Sequence, residues 1–402
     1  MRLNHTRKYV LNGKAILSAE IESPRFTIPK NIFFCYPEKY LDFLPDESAD
    51  PFFPAMLIPS MLSGEDLEII PPISSRLLES QQTIQDILST WHPEEFKKIN
   101  LIAKNVYDKS PEKKNRNATF FSLGVDSMYT MLKYLKDNQP PPGKELSCLI
   151  YMKGLELPLS TYSKRQDVEV MQSVKRVAAH YKLDAIIGET NIRDVFPLLY
   201  EKYYSGPCLA STALSLAEGF DHIFVPSSHS YANLSPNPSS PMLDYLWSNE
   251  RLKIVHDGAE AERAEKISTL IVNDCFAMNN LRVCVENEGG NYNCGKCWKC
   301  IRTMITLKAI DRLGDCGSFP EQLPKSYSIE LRTFLKGSLR FTKENLKLAQ
   351  TNGNKELERI LSREVRIGEL EQLRKEKSIA FLVKEVLFFL FWKTFRKLKL
   401  VA

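Results

Sequence analysis

The sequence predicts an α/β protein: a doubly wound, mostly parallel sheet, preceded by a small α+β module and followed by a helical region that cysteines tie down. Three observations carry this. From about residue 98, short apolar runs alternate with longer segments of helical periodicity, the pattern of strand–helix–strand units. A short β-like run at 118–121 passes through a tight polar turn into an apolar-periodic helix. Four cysteines crowd into residues 284–300, just before the chain becomes nearly all helical.

In chain order, residues 1–97 read as the α+β module. Residues 9–11 and 15–21 form a hairpin around Asn12-Gly13, a pair that tolerates the positive φ of a primed turn, and 32–36 adds a strand. Repeated prolines break regularity over 46–72, and Leu77, Leu78, Ile84, Ile87 and Leu88 mark a helix over 74–91. The α/β domain spans 98–310: strands at 118–121, 146–152, 185–187 and 222–225, with helices at 127–135, 166–181 and 209–217 between them. Ligands are expected at the carboxyl ends of such strands. Residues 311–402 form the helical C-terminal region, with a break at 318–325 and a charged stretch over 343–377.

The 402 residues carry 54 Lys and Arg against 49 Asp and Glu, a formal charge of +5. That is too little for nucleic acid or a membrane to be the main partner through charge alone. The first 17 residues lack the continuous apolar run of a secretory signal, and nine cysteines is an odd number for a disulfide framework. The expected location is therefore cytoplasmic. No stretch offers the roughly 18 uninterrupted apolar residues of a spanning helix. The tail over 379–392 is amphipathic, followed by Lys393, Arg396, Lys397 and Lys399. It is expected to dock on its own domain or a partner subunit, a homodimer included, with peripheral attachment to a membrane surface as the sharper alternative.

At Ser122-Leu123-Gly124-Val125-Asp126-Ser127 the strand-to-helix turn presents successive main-chain N–H groups at a helix N-terminus, where orphan donors and macrodipole favour a phosphate. Asp126 can hold a magnesium ion or a loop amide, and the Ser122 and Ser127 hydroxyls can bond phosphate oxygens. The competing reading is a plain turn in which Asp126 or Ser127 caps the helix. Cys284, Cys294, Cys297 and Cys300 can close a tetrahedral zinc shell; with four protein ligands the metal is structural. A ferredoxin-type run would need a further cysteine where Met304 stands.

The 122–127 loop resembles the Ser-Gly-Gly-x-Asp-Ser loop of the N-type ATP pyrophosphatases, the PP-loop superfamily. Cys284 followed by Cys294-Gly295-Lys296-Cys297-Trp298-Lys299-Cys300 resembles the zinc site of one branch, the 7-cyano-7-deazaguanine synthases of queuosine biosynthesis. The likeness covers about 118–307 and excludes residues 1–100 and the tail, which makes the chain a divergent relative. It implies an adenine-nucleotide α-hydrolase-like fold. ATP and magnesium would sit on residues 122–127, with zinc in the cysteine quartet. It further implies adenylation of an acceptor with pyrophosphate release, the acceptor being a small molecule or peptide carboxylate, and displacement by nitrogen. Asp126 and Ser127 are the expected catalytic residues in the loop. Leu123 stands where the family has its first glycine; if that backbone takes positive φ, the leucine costs about 1 kcal/mol or more.

His229, in the Ser- and Pro-rich loop after 222–225, is the candidate acid or base, with a solvent-facing role as the alternative. Asp244, Arg251, Arg263 and Lys266 either line the cleft or, with Asp257 capping the helix, Arg263 and Lys266 form its solvated face; the second is the expectation. Lys164 and Arg165 are candidates for a triphosphate clamp or for surface charges, and Lys299 and Arg302, flanking the knuckle, are either surface charges or reach a phosphate or polyanion. Two rival functions remain open. A PP-loop sulfurtransferase would need a reactive thiol, for which Cys208 is the candidate. A zinc-stabilised binding module without catalysis would be favoured by Leu123.

Overall fold

The computed structural model describes residues 1–25, 31–108, 112–161, 164–284, 292–324 and 339–374, the side chains of 164–167 excepted. The tail from 379 and the side chains of Lys164 and Arg165 thus lie outside the described residues. The described chain is α/β with one large, mostly parallel sheet. It divides into two units, 1–282 and 283–402.

The first unit opens with β1 (Arg2–Leu11) and β2 (Lys14–Glu22), joined through Asn12 at φ 51° and Gly13 at φ 72°. Both values are positive, as a turn that continues the strands' twist requires. After β3 (Asn31–Pro37) comes α1 (Phe53–Ser63), where the sequence predicted only irregular chain. Its prolines do not break it, for identifiable reasons. Pro54 lies in the first turn, where no N–H is needed. Pro59 cannot donate to the Ala55 carbonyl, and the buried Tyr204 hydroxyl does so instead, at 2.6 Å. The Ala55 N–H in turn donates to Ser211 Oγ, 3.1 Å away.

The chain continues through β4 (Leu67–Ile69), β5 (Ile73–Ser74), α2 (Ser75–Trp91), β6 (Leu101–Ala103) and β7 (Val106–Tyr107). Ser74 caps α2 by accepting the Leu77 N–H. Then follow β8 (Asn117–Phe120), α3 (Val125–Lys133), β9 (Cys148–Lys153), α4 (Lys164–His180), β10 (Asp184–Thr190), α5 (Ile192–Val195) and α6 (Ser205–Leu214). The unit closes with β11 (His222–Pro226), β12 (Lys253–Asp257), α7 (Arg263–Thr269) and α8 (Cys275–Asn279).

The ten-stranded sheet runs β12-β11-β8-β9-β10-β3-β2-β1-β4-β6. Within its parallel half the order reverses between β8 and β11: the chain moves outward through β9 and β10, then returns to the other side of β8. Right-handed crossovers then place α3 and α4 on one face and α6 on the other. A crevice opens at such a switch point, outside the carboxyl ends of β8 and β11. The boundary expected at 97/98 is corrected. β3 pairs antiparallel with β10, and Phe34, Phe52 and Phe53 share one core with Ile150, Phe220 and Trp247, so residues 1–97 have no core of their own.

The second unit contains α9 (Trp298–Ala309) and α10 (Leu339–Thr351), and is helical again over 355–374. Ile301, Ile305 and Ala309 pack with Ala349, Leu357 and Leu361. The expected boundary at 310/311 moves to 282/283, because the cysteine cluster opens α9 and α9 shares its core with the later helices. No helix among the described residues is long and apolar enough to cross a membrane.

Candidate functional site

The 122–127 loop leaves β8 at the switch point. Phe121 N–H extends the β8–β9 ladder to Ile150 O, and Leu123 then turns the chain with φ 66°. The leucine therefore adopts the left-handed backbone that its position in the loop raised as a question. Its side chain is fully buried, and its carbonyl accepts the Arg282 N–H at 2.9 Å. Ser127 closes the turn: its hydroxyl donates to Gly124 O at 3.0 Å and accepts the Ser122 N–H at 3.2 Å, with Ser122 Oγ 3.4 Å away.

The helix cap is Gly124, without side-chain capping, so neither Asp126 nor Ser127 plays the capping part of the plain-turn reading. Gly124 has an ordinary φ of −72°. A Cβ there would meet nothing nearer than the rotatable Ser122 hydroxyl at 3.3 Å. Backbone conformation does not demand glycine at 124. Beyond that hydroxyl the nearest atom is the Arg282 carbonyl oxygen at 4.0 Å, so the space beside the loop at 124 is open.

Asp126, in that first turn, pairs with two cations: Arg263 Nη1 at 2.8 Å from Oδ2 and Lys266 Nζ at 3.0 Å from Oδ1. Lys266 also donates to Ser227 O at 2.5 Å, just beyond β11. Arg263 is 9% exposed and Lys266 1%. This corrects the expected solvated face. The cause lies in the helix start: Glu262 and Glu265 form a reciprocal capping box, which sets Arg263 at the first helical position and Lys266 one turn later on the same side. Asp257 does not cap α7. Buried at the end of β12, it accepts from Thr130 Oγ1, Tyr134 OH and Lys133 Nζ at 2.8, 2.8 and 2.9 Å, anchoring α3. Although burial opposes it, bonding to Glu260 and Asp257 holds the Lys133 ammonium above its usual range.

His229 stands beyond β11 on the same edge, half-buried, its main chain fixed by reciprocal bonds with Ser227 Oγ. Asp244 is buried and accepts from His256 Nδ1 at 2.7 Å and Ser239 Oγ at 2.8 Å. Arg251 precedes β12, at the opposite end of the strands, and pairs with Glu218. It does not join the cleft. Cys208 is fully buried in α6, and burial pushes its thiol well up, so it lacks the thiolate that sulfur transfer requires.

In the second unit the sulfurs of Cys284, Cys294, Cys297 and Cys300 all lie within 4.8 Å of one another, a group that could hold a metal ion. Two Sγ pairs measure 3.9 and 4.0 Å. Tetrahedral zinc–sulfur bonds of about 2.3 Å place sulfurs about 3.8 Å apart, so the quartet fits zinc. Gly295 at φ 68° makes the knuckle turn, and Cys294 Sγ accepts the N–H groups of Lys296 at 3.4 Å and Cys297 at 3.2 Å. Asn293 holds the segment at Cys284: its Oδ1 accepts from the Val283 and Cys284 N–H groups, and its Nδ2 donates to Ser318 O. Arg302 is not a simple surface charge, since its guanidinium lies 4.6 Å from the Trp298 ring centre and 4.3 Å from that of Phe341.

Arg263, Lys266, Ser227 and Asp257 are the residues around the loop least evident from the sequence motif. The Glu-x-x-Glu start of α7 was the signal that could have turned the first two inward. No protein-family model matches the chain, and no curated protein or solved structure is significantly similar to it.

Proposed function

We propose that the chain is an ATP-dependent, AMP-forming enzyme that adenylates an acceptor carboxylate with release of pyrophosphate and passes the activated acyl group to nitrogen. The observation that carries this is the uncapped, glycine-opened N-terminus of α3 at the switch point of the parallel sheet, with Leu123 holding the left-handed turn. Main-chain N–H groups of the 123–126 turn would face the β and γ phosphates, where aligned dipoles stabilise negative charge without reorganising. Ser122 and Ser127 keep the turn closed and offer hydroxyls to phosphate oxygens.

Asp126 is the residue that would hold magnesium. With two cations already on its carboxylate, it fits that ion only alongside phosphate oxygens that take over those cations. Magnesium bound there would neutralise charge on the leaving pyrophosphate. His229 is offered as the group that moves the acceptor's proton, on the strength of its place at the carboxyl edge. The cysteine quartet would hold zinc as a structural ion, ordering the start of α9. The overall fold under this reading is adenine-nucleotide α-hydrolase-like. The sulfur-transfer alternative loses its nucleophile with Cys208 buried.

Calorimetric titration of Mg-ATP into the wild type and a Gly124→Val variant tests the reading. Binding by the wild type, lost in a variant that melts at a similar temperature, is expected. No binding at millimolar nucleotide would refute it.

A further inference from the structure

In the candidate nucleotide site two buried cations share one carboxylate. Arg263 and Lys266 are both at least nine-tenths buried, and among the described residues Asp126 is the only carboxylate with which either pairs. The acids around them are committed elsewhere. Asp257 and Glu260 bond Lys133, and Glu262 takes Ser230 and Asn233. A lysine this buried normally needs a full counter-charge of its own. Arg263 and Lys266 thus share one carboxylate, directly beside the N-terminus of α3. The buried Nε of Arg263 has no hydrogen-bond partner. Site and leftover donor both ask for a multiply charged anion with several oxygens, which describes a polyphosphate.

Resting on the nucleotide reading above, we propose that Asp126 is an exchangeable counter-ion. It holds Arg263 and Lys266 in the cleft until a polyphosphate arrives. Phosphate oxygens then take the two cations, with Arg263 Nε as an added donor, and the freed carboxylate turns to the magnesium ion that accompanies the phosphates. Lys266 stays anchored through Ser227 O during the exchange, so the cation keeps its place while its partner changes.

The exchange makes a prediction that simple magnesium ligation does not: without metal, the carboxylate competes with the ligand. Titration of pyrophosphate in magnesium-free buffer should show Asp126→Asn binding about tenfold tighter than the wild type, because the competing occupied state is gone. Added magnesium should strengthen binding in the wild type and not in Asp126→Asn. If the wild type binds Mg-ATP but Asp126→Asn binds metal-free pyrophosphate no better, the exchange is wrong and the nucleotide reading stands. If neither protein binds either ligand, the nucleotide reading fails and the exchange with it. Should Asp126→Asn be too unstable to titrate, its melting temperature must rise more with pyrophosphate than that of the wild type; an equal or smaller rise overturns the proposal. Lys266→Met supplies the check independent of that variant: metal-free pyrophosphate affinity must fall about tenfold, and an unchanged affinity overturns the proposal.

Discussion

Leu123 sets backbone conformation against packing, and the two terms can be separated. Its φ of 66° costs a residue with a Cβ about 1–2 kcal/mol. Its side chain is fully buried, so truncation to alanine should cost about 2–5 kcal/mol while leaving the strain in place. Leu123→Gly deletes one more carbon, about 0.8 kcal/mol, and adds about 0.5–1 kcal/mol of chain entropy, but recovers the strain. The last two changes and the recovery nearly cancel. Leu123→Gly and Leu123→Ala should therefore lie within about 1 kcal/mol of each other, both well below the wild type. At an ordinary φ the glycine would be the worse by about 1.3–1.8 kcal/mol. Urea unfolding of the three proteins, compared at equal m-values, measures the difference. A glycine variant less stable than alanine by 1.5 kcal/mol or more, on the scale of those terms, would refute the left-handed turn. A glycine variant more stable than the wild type would refute the packing role.

Three further outcomes are expected. Tyr204→Phe should destabilise by about 1–3 kcal/mol by stranding the Ala55 carbonyl that Pro59 cannot serve; in a Pro59→Ala background most of that loss should vanish, and an unchanged loss in the double-mutant cycle would deny the compensation. Elemental analysis should find a single zinc per chain, absent from Cys297→Ser; a chelator should lower the melting of the wild type and leave the variant unmoved. Burial, then the Lys144 and Lys253 charges, pushes the His222 imidazole down to about 4 from its usual 6.5. Its neutral form is thus the native one, so its contribution is complete above 6.5 and is lost as pH falls from 6.5 towards 4. His222→Gln, able to keep a bond to Asn117 Oδ1, should show a shallower loss of stability over that window; an identical slope would contradict the assignment.

Much of the fold was legible because local signals agreed with the long-range ones. Asn12-Gly13 took the positive φ values its pair allows, Ser74 capped its helix, and β8 to β11 with α3, α4 and α6 fell at the predicted strand–helix alternation. The cysteine quartet was legible for the same reason, since four cysteines within 17 residues of chain need little long-range information to converge. What sequence could not show was tertiary compensation. Pro59 reads as a helix breaker until Tyr204, far along the chain, supplies the missing donor. Arg263 and Lys266 read as a solvated face until Asp126 supplies the charge that lets them be buried. The N-terminal strands read as a module because no periodicity announces that β3 will pair with β10. The tight turn after β8 was legible from the order of its residues, whereas the cations beside it depend on a contact between α3 and α7 that only the fold creates.

The proposed activity requires the main chain of residues 122–127 to receive the phosphates of a nucleotide. A crystal structure of the protein with a non-hydrolysable ATP analogue and magnesium tests it most directly. The phosphates should lie on the 123–126 amides with Arg263 and Lys266 turned onto their oxygens. A triphosphate bound elsewhere, or a loop that admits none with Asp126 still clasped by both cations, would contradict it.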